Sequence, residues 1–205
     1  GPRAESPFVE LNCSAIPENL IESELFGHEK GAFTDAKNTR IGLFEAAHQG
    51  TLFLDEIASL SLSSQAKVLL AIENGIIRRV GGTKEIRVDA RIIAAANQDL
   101  REMIKLGGFR EDLFHRLDLL RISIPPLSSR GKGIVKLANH FLSGLSQKYK
   151  VSQPSLSETS QAQLLAHSWP GNARELIHEL ERALVMSEKG QDLQLAITGT
   201  LKSDQ

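Results

Sequence analysis

Two adjacent carboxylates, Asp55 and Glu56, close the apolar run Gly50-Thr51-Leu52-Phe53-Leu54. Such a pair can divide the work of hydrolysing a phosphate, one acid holding a magnesium ion and the other orienting or deprotonating a water. Asn97 ends a second apolar run that begins at Arg91, and two arginines follow it, Arg110 and Arg116. A guanidinium is planar and always charged, and phosphoryl transfer often recruits one from a neighbouring subunit. Two plain alternatives stay open at this level. Asp55-Glu56 is also compatible with a solvated strand-to-helix turn, and arginines six residues apart on one helix need not share a face.

The elements around these residues place them together. Thr51 to Leu54 reads as a short strand buried on both faces, as in parallel sheets. A strand ending in two acids delivers them to the carboxyl edge of the sheet, where open α/β folds bind ligands. Phe8 to Asn12 reads as an earlier strand, Pro17 to Phe26 as a helix, and Arg91 to Asn97 as another buried strand. The pattern predicts helices over 41–47 and 62–73, the latter with a stripe of Leu62, Ala66, Leu69, Leu70 and Glu73, ended by Gly75. Gly81-Gly82 predicts a two-residue turn between strands 76–80 and 83–88. Asp99 with Glu102 suggests a capping box, Arg110 to Leu117 a short helix, and Leu119 to Ile124 a further strand stopped by Pro125-Pro126. This alternation argues for an α/β fold with a three-layer parallel sheet. Beyond residue 126 the pattern turns helical, over 134–148, 158–167 and from Asn172, where Asn172 and Glu175 suggest a cap and Ala173, Leu176, Ile177, Leu180 and Leu184 form the stripe. Domains are expected at 1–126 and 127–190, with a tail over 191–205.

Composition excludes several classes. With 205 residues, 41% hydrophobic and 24% charged, the chain has material for one sizeable core and a small satellite. The single cysteine, Cys13, cannot form an intrachain disulfide and is expected as a buried thiol. No run approaches the roughly 20 apolar residues of a membrane helix, no signal peptide is visible, and a cytoplasmic location is the default expectation. A net charge of −1 gives no global reason to expect nucleic-acid binding.

Four segments stand out together: Glu24-Leu25-Phe26-Gly27-His28-Glu29-Lys30-Gly31-Ala32-Phe33-Thr34, Gly50 to Ile57, Phe109 to Leu117, and Trp169-Pro170-Gly171-Asn172-Ala173-Arg174-Glu175-Leu176. In this order they resemble the central AAA+ ATPase domain of bacterial enhancer-binding proteins, the NtrC-like activators of sigma-54 RNA polymerase. The resemblance runs from about Pro7 to Met186 and implies an AAA+ core followed by a small all-α lid. It implies Asp55 and Glu56 as the Walker B pair, acting on Mg²⁺ and the attacking water, with ATP as the nucleotide. Asn12 would hold that glutamate away from water in the family's switch, and Asn97 would be sensor I. Arg110 and Arg116 would be fingers reaching the γ-phosphate in an adjacent subunit, which implies a ring, usually a hexamer; such a finger is worth about 10³–10⁵ in rate. Arg174 would be sensor II on the lid, and Gly31, Ala32, Phe33, Thr34, Asp35 and Ala36 would form the loop that touches the sigma factor. An exposed loop bearing a Phe can dock on a partner and retract, the alternative being a Phe folded back on its own domain.

The chain departs from this family in two main ways. No G-x-x-x-x-G-K-[ST] phosphate loop occurs in the 205 residues, so either a fragment or a lost element is implied, and no significant ATP turnover is expected from this chain alone. The loop reads Gly31-Ala32-Phe33-Thr34-Asp35-Ala36 where the family has GAFTGA, and Asp35 is expected to strain any backbone that needs φ > 0. The stretch Ser128 to Gly133 suggests a loose joint, and the family's DNA-binding domain is not among these residues. A nucleotide-free scaffold is one rival reading. A DNA-binding pair of helices over 158–186 is another, opposed by Glu175, Glu179, Glu181 and Glu188 against Arg174, Arg182 and Lys189.

Overall fold

The first strand, β1 (Phe8–Asn12), runs into a 3₁₀ turn, Cys13–Ala15, whose Ser14 N–H is capped by the Asn12 side chain. Helix α1 (Glu18–Phe26) follows with Pro17 as N-cap, a place where a missing N–H costs little. Strands β2 (Gly27–His28) and β3 (Arg40–Ile41) then pair antiparallel and clasp the base of the intervening loop. Helix α2 (Leu43–Ala46) leads to β4 (Thr51–Asp55), and α3 (Leu62–Asn74) to the short strands β5 (Ile76–Ile77) and β6 (Ile86–Arg87). Strand β7 (Arg91–Ala94), α4 (Leu100–Lys105) and α5 (Glu111–Leu117) complete the first part. Three further helices follow, α6 (Gly133–Tyr149), α7 (Glu158–Ala166) and α8 (Asn172–Met186). This computed structural model describes residues 1–187 and 192–197 and divides into two compact units, the second beginning at Ile122.

In the first unit β1, β4 and β7 form a parallel sheet in the order β1-β4-β7, flanked by helices that make the crossovers parallel pairing requires. Leu52 and Leu54 of β4 are fully buried and meet Leu25, Phe44, Ile57 and Leu113 in one core. The register sets Asn12 opposite Asp55 and Leu54 opposite Ala94, so three strands end on one edge of the sheet.

Several expected details differ. Thr51, Phe53 and Asp55 remain half-buried, so β4 is sealed on one face only. The strand from Arg91 lies at the edge of the described sheet, and Ile93 and Ala94 are exposed rather than buried. Of the expected α3 stripe only Leu69 is fully buried, while Leu62 and Leu70 face solvent; the buried side is Ser64, Gln65, Val68, Leu69 and Ala71. The β5–β6 ladder stops at Ile77 and Ile86, because Val80 turns away to exchange hydrogen bonds with Gly27 and Glu29 (2.9 and 3.0 Å). Asp99 caps α4 through the Arg101 N–H, but Glu102 bonds Lys105 instead of closing a box. No strand forms over 119–124: among the described residues nothing pairs with it, and a strand without a ladder partner leaves its peptide groups to water.

The second unit buries Leu142, Leu164, Leu176 and Leu180 from three helices around Trp169. Within the expected tail, Leu193 and Leu195 join this core, with Ser160 Oγ donating to the Leu193 carbonyl (2.8 Å), and residues 191 and 198–205 lie outside the described residues. Ser128 to Gly133 is no open linker either. A 3₁₀ turn covers Leu127–Arg130, Leu127 is buried, and its N–H donates to Asn172 Oδ1 (2.8 Å). Asn172 is therefore spent on Leu127 rather than on capping α8, whose N-cap is Gly171, with the Glu175 carboxylate accepting the Gly171 N–H (2.8 Å).

Candidate functional site

The carboxyl edge of the sheet gathers Asn12, Asp55 and Glu56, with Asn97 three residues beyond the end of β7. Glu56 sits in the left-handed region (φ 54°, ψ 46°), an uncommon place for a glutamate. This sharp turn is held by Asp55 Oδ1, which accepts the Glu56 N–H (3.1 Å), and by Ile57, whose N–H reaches the Ala95 carbonyl beside it (3.0 Å). Backbone strain at such a residue is characteristic of sites where a side chain must point out of the ladder. Both acids remain half-buried. Asn12 Oδ1 is engaged by the Ser14 N–H and hydroxyl (3.0 and 2.7 Å) and makes no bond to Glu56. Asn97 is exposed.

Cys13 lies under this edge, 3% exposed, and its burial, followed by the negative charge of Asp55, pushes the thiol up to about 11. Sequence reading expects a buried thiol there but not its proximity to the acids; the signal was its place one residue past the strand end that faces Asp55.

The donor set suits a magnesium–nucleotide complex better than a metal held by protein alone. No group of three His, Cys, Asp or Glu side chains converges on a point among the described residues. Among the described residues the second oxygen of Asp55 accepts no hydrogen bond, which fits an ion that binds through one carboxylate, substrate phosphates and water.

Arg110 is the N-cap of α5 rather than part of it, and Arg116 lies exposed in the last turn. The Arg110 guanidinium is folded onto Asp112 through two bonds, Nε–Oδ1 3.0 Å and Nη2–Oδ2 2.6 Å, which raises its own pKa and lowers that of Asp112. The Arg110 backbone is fixed by a residue that sequence reading passed over. Gln65, on the buried side of α3, accepts the Arg110 N–H at Oε1 (2.8 Å). Its polarity at a position in phase with Val68, Leu69 and Ile72 was the available signal.

The loop 31–36 is closed by the Gly31 N–H donating to the Ala36 carbonyl (2.8 Å), with Gly31 at φ 82° and Ala36 buried. Asp35 is not among the described non-glycine residues with positive φ, which are Gln49, Glu56, Lys150, Trp169 and Asn172. The backbone strain expected there is therefore absent, and what Asp35 adds is an exposed charge. Phe33 lies edge-on against His28 (5.0 Å between ring centres), itself fixed by Ser23 (2.7 Å), yet keeps 38% of its surface exposed. Ala32 and Phe33 thus fall between the two alternatives, docked lightly on their own domain, while Thr34 is exposed. Beneath the loop, Gly81 (φ 75°) comes so close that a Cβ there would lie 2.7 Å from that of Ala32. The base is clamped by Arg79, which bonds Glu29 (3.1 Å) and Glu45 (2.9 and 2.8 Å), and these bonds lower the pKa of Glu45.

In the second unit Trp169 (φ 55°) is buried, with Nε1 donating to the Leu164 carbonyl (2.8 Å) and its N–H to His167 Nδ1 (3.1 Å). This fixes the turn from which α8 starts, and Arg174 stands exposed in its first turn. Basic side chains beside this helix are paired with carboxylates, Arg182 with Glu179 and Lys148 with Glu181, which leaves little positive charge for phosphates. Glu188 and Lys189 lie outside the described residues.

A parallel sheet with flanking helices, followed by a helical unit, is the architecture of an AAA+ type core with its lid. Residues 1–123 match the family "Sigma-54 interaction domain", and residues 128–198 the "AAA+ ATPase lid domain". The chain belongs to the sigma-54 interaction domain family. It is 52% identical over 186 residues to the anaerobic nitric oxide reductase transcription regulator NorR of Enterobacter sp. (strain 638), covering 91% of this chain and 37% of NorR. It is 51% identical over 185 residues to the regulatory protein AtoC of Escherichia coli (strain K12), 90% of this chain and 40% of AtoC. Crystal structures of NtrX from Brucella abortus in complex with ADP and with ATP superpose with a TM-score of 0.84 at 38% identity, over 93% of this chain and 41% of NtrX. The chain thus spans about two fifths of the length of these relatives. None of the described helices is long and apolar enough to cross a membrane.

Proposed function

We propose that this chain forms the hydrolytic and partner-contacting portion of a sigma-54-dependent transcription activator, in which ATP hydrolysis drives a change in the loop 31–36 that remodels sigma-54 RNA polymerase in the cytoplasm. The observation that carries the proposal is the strained Asp55-Glu56 turn at the carboxyl end of β4, between strands that end at Asn12 and lead to Asn97.

In this reading the Glu56 carboxylate orients a water for attack on the γ-phosphorus and takes its proton. The bond from phosphorus to the bridging oxygen breaks, giving ADP and phosphate. Asp55 would hold Mg²⁺, which when bound neutralises phosphate charge. Asn97 senses the γ-phosphate, and Arg174 reaches the nucleotide from the lid. Arg110 and Arg116 act on the nucleotide of an adjacent subunit, so the working form is a ring, a hexamer by family resemblance, and Arg110 must leave Asp112 to do so. Asn12 is the switch residue, free to exchange Ser14 for Glu56. Gly31, Ala32, Phe33, Thr34, Asp35 and Ala36 form the sigma-54 contact, helped by the surface that Phe33 leaves exposed.

No phosphate loop of the G-x-x-x-x-G-K-[ST] type is present in the 205 residues, so turnover needs such a loop from outside them. The test is magnesium-dependent phosphate release. This chain alone should show none, and a protein joining it to a phosphate loop should hydrolyse ATP and lose at least about 10²-fold with Glu56→Gln. Steady turnover by the 205 residues alone, or full activity of the Gln variant, would overturn the assignment.

A further inference from the structure

Gln65 is fully buried, and its amide joins the turn just before its own helix to the segment Gly108–Arg110, more than 40 residues further along the chain. Nε2 donates to the carbonyls of Leu60 (2.7 Å) and Gly108 (3.2 Å), and Oε1 accepts the Arg110 N–H (2.8 Å). The partners dictate the amide orientation, since a carbonyl can only accept and a backbone N–H can only donate. Both donors and one acceptor site are therefore used, in a place where losing any of them leaves a buried polar group unpaired.

What these bonds join matters more than their number. Leu60 ends the 3₁₀ turn Ile57–Ser59 that starts directly from Glu56, so the first bond holds the far end of the acid turn. Gly108 and Arg110 flank the buried Phe109, and Arg110 is the residue from which α5 starts without any side-chain cap of its own. The N–H that a cap would ordinarily satisfy at this helix start is left to its neighbours, while the Arg110 N–H itself is fixed by Gln65. The charged end of Arg110 is exposed and, among the described residues, bonds the Asp112 carboxylate, while its backbone is held separately by Gln65.

We propose that Gln65 is a positioning residue that couples the turn bearing Glu56 to the backbone that presents Arg110, so that a subunit's own acid pair and the arginine it offers to its neighbour move together. This rests on the reading of Arg110 as a finger acting in trans. A helix residue that touches neither nucleotide nor water then sets how far a change at one catalytic site is passed to the next.

The test is a double-mutant cycle in the assembled, hydrolysis-competent ring, using Gln65→Met, which keeps the shape and removes the bonds, with Arg110→Ala. Gln65→Met should lower kcat about tenfold or more with KM for ATP within about twofold, and should add less than about twofold to the loss in Arg110→Ala. Multiplicative losses in the double variant, or an unchanged kcat in Gln65→Met, overturn the coupling role while leaving the finger intact. A fully active Arg110→Ala ring overturns the finger itself, and the two failures are thereby told apart. If Gln65→Met does not fold, hydrogen exchange in the unaltered protein decides: an Arg110 amide that exchanges as fast as the unprotected amides at the start of α5 would contradict the proposal, because the Gln65 bond is what holds it.

Discussion

Arg79 meets Glu45 through two parallel hydrogen bonds, Nε–Oε1 at 2.9 Å and Nη2–Oε2 at 2.8 Å, and sends its remaining nitrogen to Glu29 at 3.1 Å. Arg79 is less than a fifth exposed, and its partners come from α2 and from the base of the loop that carries Phe33. Removing it with Arg79→Ala should cost about 2 kcal/mol, the scale of lost charge-assisted bonds in a partly buried place, read by urea unfolding. Limited proteolysis should then cut within 31–36 several times faster. Unchanged cleavage would show that Gly81 and Val80 hold the loop without the ion pair.

The same contact sets a pH dependence. Bonding to Arg79 holds Glu45 below its ordinary value of 4.5, so its stabilising contribution is full above that value and is lost as pH falls through the lower, folded pKa. Stability should therefore drop below about pH 4.5, and the drop should be shallower in Glu45→Gln. Identical acid limbs in the two proteins would contradict this.

Cys13 offers a probe of the acid edge. A thiol raised from 9.0 to about 11 has on the order of a hundredfold less thiolate near pH 8, and burial slows it further. Labelling by a disulfide reagent at pH 8 should be at least about 100-fold slower than in the unfolded chain and should quicken in the Asp55→Asn, Glu56→Gln double variant. Rapid labelling of the native protein would contradict a buried thiol.

Asp35 has no positive φ to relieve, so replacing it should act through charge. Asp35→Asn should change sigma-54 binding in a nucleotide-trapped pull-down as much as Asp35→Gly does. An effect confined to the glycine variant would restore the backbone explanation.

The parallel strands ending at Asn12 and Asp55 were legible because apolar runs stop abruptly at polar residues, and sheet edges follow from that. The second unit's helices were legible from their stripes, Leu176, Leu180 and Leu184 above all. Tertiary choices were not. Val80 abandons a hairpin to join Gly27, Asn172 gives its side chain to Leu127 instead of its own helix, and α3 turns Gln65 inward while Leu62 and Leu70 stay in water. In each case a polar group found a partner far along the chain, which local spacing does not encode. Extended segment 119–124 failed for the converse reason: its alternation fits a strand, but pairing needs a neighbour.

The central claim, hydrolysis shared between the acids of one subunit and the arginines of the next, is tested most directly by mixing two inactive variants. Rings of Glu56→Gln and of Arg110→Ala subunits, each hydrolysing ATP far more slowly than the unaltered ring, should regain ATP hydrolysis when mixed in equal amounts. Random assembly predicts up to roughly a quarter of interfaces intact, since each needs one particular subunit on either side. No recovery in mixed rings that are shown to contain both subunits would contradict the account.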